Sequence, residues 1–135
     1  MQDIEQTESQ MPRVLVIEDA PATQRLIEMT LKLEGWDVLV ATTGEAGLEA
    51  AESDSPDLVV LDIALPKMDG WQVLKTLRTD PATASIPVIV VTAHDTAESK
   101  TRADIATADA FLGKPFDVEA LRRLAKSHLL QMKAS

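Results

Sequence analysis

Apolar and polar positions follow two rhythms along this chain. Continuous apolar runs, VLVI, LVVL and VIVV, occupy residues 14–17, 58–61 and 88–91. Runs this short and this apolar suit strands covered on both faces, as in a parallel sheet. They predict strands over 13–17, 58–61 and 87–91, with two more over 37–41 and 110–112. Between the strands the apolar spacing becomes helical, predicting helices over 22–34, 45–52, 71–77, 96–107 and 117–131. In the first helix Leu26, Met29, Thr30 and Leu33 share a face, and Gly35 supplies the stop signal. The 96–107 segment has few large apolar residues, chiefly Ile105, so it is expected to shift cheaply. In the last helix Val118, Leu121, Leu124, Ala125 and Leu129 share a face, with Arg122, Arg123 and Lys126 outside it. Asp117 is its expected N-cap.

Strand–helix alternation implies an α/β fold: a doubly wound sheet of five parallel strands with five helices on its two faces. A chain of 135 residues suits one domain, expected over 12–133 behind a polar, flexible tail over 1–11. No apolar run approaches the ~20 residues that span a bilayer. The start MQDIEQTESQ lacks the basic and apolar regions of a signal peptide, so a cytoplasmic protein is expected. Twenty-two acidic against thirteen basic residues, net −9, argue against nucleic acid and anionic membranes as partners. The absence of cysteine excludes disulfides and thiolate metal sites.

Ligands of such sheets bind beyond the carboxyl ends of the strands. Glu18 and Asp19 follow the first strand, Asp62 ends the third, Thr92 the fourth, and Lys114 follows the fifth. All five polar groups therefore fall on one edge of the sheet. Clustered carboxylates raise one another's pKa values, and a hard divalent cation relieves that repulsion. Magnesium fits best, with manganese as a substitute. With no cysteine and only His94 and His128, a zinc site is not expected. No GxxxxGK[ST] and no GxGxxG is present, which removes P-loop and dinucleotide sites. A flavin phosphate would be repelled by Glu18 and Asp19. A phosphatase with an Asp nucleophile usually places a second acid two residues on, where Ala64 stands.

With IED at Glu18 and Asp19, LDIALPKMDG around Asp62, VVTA at Thr92 and FLGKPF at Lys114, the chain resembles the receiver domain of two-component response regulators. The resemblance covers residues 12–130, with thirty residues between Asp62 and Thr92 and twenty-two between Thr92 and Lys114. It implies the flavodoxin-like strand order 2-1-3-4-5, of which chemotaxis receivers are a type example. It also implies that Asp62 accepts a phosphoryl group from a phosphohistidine on a sensor histidine kinase or a histidine phosphotransfer protein. Magnesium would be held by Asp19, Asp62 and the Ala64 backbone carbonyl, and through water by Glu18. Thr92 and Lys114 would contact the phosphoryl group, with the Lys114-Pro115 bond cis. Thr92 and Phe111 would form the switch, acting on a downstream protein through the surface built by residues 96–131.

Three departures accompany the resemblance. Phe111 lacks the hydroxyl of the tyrosine common at its position, so its inward rotamer is expected before phosphorylation. Ala64 and His94 occupy the positions that tune hydrolysis. Thr107 stands where a glycine usually precedes the Ala-Asp step. Not an enzyme but a self-assisting phosphoryl acceptor is expected, as a monomer or a phosphorylation-dependent dimer supported by Arg122 and Arg123. A stand-alone regulator is the expected organisation; a receiver cut from a longer regulator or hybrid kinase is the alternative. An Asp-nucleophile phosphatase and a degenerate docking module are the readings from other classes.

Overall fold

A computed structural model describes residues 11–93 and 107–134. Their elements run β1 (Arg13–Ile17), α1 (Pro21–Lys32), β2 (Asp37–Ala41), α2 (Gly44–Asp54), β3 (Leu58–Asp62), α3 (Gly70–Thr79), β4 (Val88–Ala93), β5 (Ala110–Lys114) and α4 (Val118–Ala134). The five strands form one parallel sheet in the order β2-β1-β3-β4-β5. Four helices lie among the described residues. The helix expected over 96–107 falls, except for Thr107, outside them.

Every second residue of the inner strands points to the same face, and each face carries its own core. Leu15, Ile17, Val59, Leu61, Val88 and Val90 meet Ala51 of α2 and Trp71, Val73, Leu74 and Leu77 of α3. Val14, Val16, Leu58, Val60, Ile89 and Val91 meet Ile27 and Leu31 of α1 and Leu121, Ala125 and Leu129 of α4. The continuous apolar runs are explained: both sides of β1, β3 and β4 are dry.

Helix ends follow local chemistry. Thr43 caps α2 by accepting from the Ala46 N–H at 3.0 Å, and Asp117 caps α4 by accepting from the Glu119 N–H at 3.0 Å. Gly35 turns the chain away from α1 with φ at +87°, a conformation that costs glycine little.

The face expected for α1 is corrected. Ile27, Thr30 and Leu31 are buried, whereas Leu26, Met29 and Leu33 are 46%, 59% and 83% exposed. Two apolar stripes overlap on this helix at helical spacing. Packing against Val14, Val16 and α4 selects the stripe carrying β-branched Ile27, and Leu33 lies beyond the last helical turn. The cations expected outside the apolar face of α4 lie there, and two of them are paired. Arg122 Nε lies 3.1 Å from Glu34 Oε2 and Lys126 Nζ 3.7 Å from Glu34 Oε1, which ties α4 to the turn after α1. Arg123 remains exposed.

Arg78 of α3 secures the approach to β5. Its guanidinium donates to the carbonyls of Thr107 (2.8 Å), Ala84 (3.2 Å) and Ile86 (2.7 Å), and to Asp109 Oδ2 at 2.7 Å. Asp109 Oδ2 also accepts from the Val88 N–H at 2.8 Å. One planar fork thus joins the α3–β4 loop to the start of β5.

Candidate functional site

Because all strands run the same way, the carboxyl ends of β1, β3, β4 and β5 converge. Glu18, Asp62 and Thr92 are buried there, 1%, 4% and 3% exposed. Asp19 is exposed. One carboxylate oxygen from each of Glu18, Asp19 and Asp62 lies within 4.8 Å of the others. Lys114, the last residue of β5, faces them with Nζ 3.1 Å from Glu18 Oε1 and 3.3 Å from Asp62 Oδ2. The Lys114–Pro115 peptide is cis.

The loops hold these groups through backbone hydrogen bonds. Glu18 Oε2 accepts from the Ala20 N–H at 3.1 Å, and Gln24 Nε2 donates to the Glu18 carbonyl at 2.9 Å. The Glu18 N–H donates to the Ala41 carbonyl at 3.0 Å, continuing the sheet past β1. Asp62 Oδ1 accepts from the N–H of exposed Ala64 at 3.0 Å, which holds the start of the β3–α3 loop against the acid. Thr92 pairs in register with Gly113 and Asp62 with Val91, which places Thr92 beside the end of β3. Phe111, half-buried, packs on the α2/α3 core with its ring centroid 6.1 Å from that of Trp71. His94 lies outside the described residues.

Burial raises the pKa of Glu18 above its ordinary 4.5; the Ala20 N–H opposes the shift, while Asp62's charge and hydrogen bond add to it and Lys114 offsets part. Partial burial lowers the Lys114 pKa, but Asp62 and Glu18 outweigh it and the net shift is upward from 10.5. A raised carboxyl pKa means the fold loses stability as pH climbs through the window above 4.5. The raised ammonium contributes stability below 10.5 that is lost as pH rises through its folded value. Lys114→Met is therefore expected to cost about 2 kcal/mol near neutral pH, less than a fully buried pair because the lysine is partly exposed. The deficit should shrink on acidification, as Glu18 takes up a proton, and again at strongly alkaline pH. Urea denaturation across pH measures it; a deficit that does not depend on pH would remove the electrostatic explanation.

The donor set is entirely oxygen, crowded and short of positive charge, which suits a hard divalent cation. A doubly wound sheet with an acid trio, a buried threonine and a lysine at its carboxyl edge is the arrangement that the resemblance to receiver domains implies. The chain belongs to the response regulator receiver domain family, whose model matches residues 14–126. It is therefore a response regulator receiver domain of two-component signalling, and receiver domains are generally signalling modules rather than enzymes.

It is 43% identical over 111 residues to the DNA-binding dual master transcriptional regulator RpaA of Synechocystis sp., covering 82% of this chain and 46% of that protein. The chain thus spans about half the length of that curated relative. A CheY-like receiver domain protein from Methanospirillum hungatei superposes with a TM-score of 0.80 at 25% identity, over 92% of this chain and 98% of that one. The receiver domain of a sensor histidine kinase from Pseudomonas aeruginosa, solved with magnesium coordinated in its active-site cleft, gives 0.79 at 26% identity, covering 88% and 98%.

Sequence reasoning placed Glu18, Asp19, Asp62, Thr92 and Lys114 on one edge, and the fold brings them there. It missed that Lys114 pairs with Glu18 as well as Asp62, that Gln24 pins the β1–α1 loop, and that Trp71 faces Phe111. Gln24, six residues beyond Glu18 and one turn into a helix, was the one signal available for such a pin. Among the described residues no helix is long and apolar enough to cross a membrane.

Proposed function

We propose that Asp62 accepts a phosphoryl group from the phosphohistidine of a sensor kinase or histidine phosphotransfer protein. The observation that carries this reading is a buried carboxylate at the end of β3, 3.3 Å from the Lys114 ammonium and grouped with two further acids. A carboxylate oxygen of Asp62 attacks phosphorus, the P–N bond breaks, and its electron pair returns to the imidazole. An acyl phosphate results. Lys114 neutralises charge on the oxygens of the moving group, and Thr92 donates its hydroxyl to one of them. Magnesium, or manganese in its place, would be held by Asp19, Asp62 and the Ala64 carbonyl, with Glu18 acting through water. When bound it supplies positive charge to the phosphoryl oxygens.

Ala64 places no polar side chain beside the acyl phosphate, and His94 is the candidate to orient a hydrolytic water. Movement of Thr92 toward the phosphoryl group opens space into which the half-buried, inward Phe111 packs more deeply. The change is read by a downstream protein on the side of β5 and α4, the described part of the expected output surface. Direct binding of nucleic acid by this span is not proposed, because 22 acidic residues face 13 basic ones. Arg122 is engaged with Glu34, so a phosphorylation-dependent dimer would draw on Arg123 more than on Arg122.

Incubation with acetyl phosphate and magnesium tests the reading. One acid-stable, base-labile adduct per chain is expected, and chelation of the metal should suppress it. No adduct under those conditions would overturn the proposal and leave a degenerate docking module. Sustained release of phosphate from small esters would favour a phosphatase.

A further inference from the structure

We propose that Trp71 is a positioning residue that holds Phe111 inward and carries movement of the acceptor loop to strand β5. The inference rests on the reading of Asp62 as acceptor and Phe111 as half of the switch.

Trp71 sits in the first turn of α3 and is 7% exposed. Its backbone has no slack relative to the acceptor. The Trp71 N–H donates to Asp69 Oδ1 at 2.6 Å, and the preceding Gly70 N–H donates to the Ile63 carbonyl at 2.8 Å. A Cβ on Gly70 would stand 2.4 Å from Ile63 Cα and 2.6 Å from the Asp62 carbonyl oxygen. The start of α3 therefore follows any shift of residues 62 and 63.

On its other side the indole meets the switch residue. The Trp71 and Phe111 ring centroids are 6.1 Å apart with planes inclined by 41°. That separation and tilt lie within the favourable range for aromatic pairs. Phe111 is paired in register with Val90, three residues before Lys114 on β5. Phenylalanine has no hydroxyl to be anchored by solvent or a neighbour. Its inward position is then set by packing alone, and the indole is the large aromatic surface it packs on. The acceptor end of β3, the start of α3, the aromatic pair and β5 form one continuous contact path back to Lys114. Core filling would explain the burial of Trp71. It would not by itself make the tryptophan respond to a phosphoryl group.

The chain has two tryptophans, so Trp36→Phe leaves Trp71 as the sole indole. Fluorotryptophan is incorporated into that protein, and fluorine NMR is recorded with magnesium and with magnesium plus beryllofluoride, a phosphoryl mimic. Bound beryllofluoride has its own fluorine signal, which reports occupancy of Asp62 independently. The Trp71 resonance should move on binding and should still move in Phe111→Leu, where half-saturation should rise as it does in Trp71→Leu. Trp71→Leu should raise the beryllofluoride concentration for half-saturation about fivefold, the size of one aromatic pair, and Trp71→Phe should stay within about twofold of wild type. Trp71→Leu also opens a cavity and lowers stability, which is why Phe111→Leu and Trp71→Phe are included.

A Trp71 resonance that stays still while beryllofluoride is bound would overturn the inference and leave the receiver reading intact. So would an unchanged half-saturation in a folded Trp71→Leu protein. A missing bound-beryllofluoride signal, or one that survives Asp62→Asn, would overturn the receiver reading and the inference with it.

Discussion

Asp62→Asn is expected to abolish the acyl-phosphate adduct completely while leaving the fold as stable as before, or firmer by about 1 kcal/mol near neutral pH. Asparagine has the shape of aspartate, and its amide oxygen can keep the bond from the Ala64 N–H now made at 3.0 Å. What it lacks is the anionic oxygen that attacks phosphorus. For stability, two changes oppose each other. Lys114 loses one of its two carboxylates but keeps Glu18 at 3.1 Å. Glu18 loses the neighbouring charge and hydrogen bond that help to raise its pKa. One cation serving one buried acid is better balanced than one cation serving two, so relief of repulsion should prevail. Because the Glu18 pKa then moves back toward 4.5, the variant should lose less stability than wild type as pH rises above that value. Mass analysis after acetyl phosphate treatment and urea denaturation at several pH values measure both halves. An adduct in the asparagine variant would overturn the assignment of Asp62.

Gly70→Ala should destabilise the protein by about 3 kcal/mol and slow adduct formation. Alanine is the better helix former, by up to ~1 kcal/mol in a helix interior. Here the new methyl would collide with backbone, 2.4 Å from Ile63 Cα and 2.6 Å from the Asp62 carbonyl oxygen. Neither atom belongs to a side chain that can rotate away. To make room, α3 must lift from β3, which breaks the Gly70–Ile63 hydrogen bond and loosens the Asp69 cap on Trp71. Gly47 offers a control. A Cβ there meets the buried Ile17 side chain, 2.4 Å from Cδ1 and 2.8 Å from Cγ1, so the clash falls on core packing and not on the backbone of residues 62 and 63. Gly47→Ala should therefore cost stability too, while adduct formation should be affected less. Chemical denaturation compares the two, and a Gly70→Ala protein as stable as wild type would show that the close approach is not required.

Much of the fold was legible because it is local. VLVI, LVVL and VIVV announce strands with two dry faces, and their carboxyl ends must meet once the strands are parallel. The acids were legible for the same reason, since a strand's end is a position along the chain. The apolar ranges stop short of the strands: they end at Leu61, Val91 and Leu112, whereas β3 runs to Asp62, β4 to Ala93 and β5 to Lys114. Polar residues there interrupt the apolar pattern without interrupting the backbone ladder. The face of α1 was not legible, because Leu26, Met29 and Leu33 fit helical spacing as well as Ile27 and Leu31. Only contact with Val14, Val16 and the α4 residues separates the two stripes.

By itself, then, the sequence determined the class of fold, the single edge on which Glu18, Asp19, Asp62, Thr92 and Lys114 gather, and the oxygen-rich chemistry of that edge. Each depends on residue type and spacing within one element. Tertiary structure decided which stripe of α1 is buried, that Arg122 and Lys126 are held by Glu34, that Lys114 bridges two acids, and that Trp71 meets Phe111. The physical reason is common to all four. Each joins residues far apart in the chain, and periodicity along one element carries no information about what that element will touch.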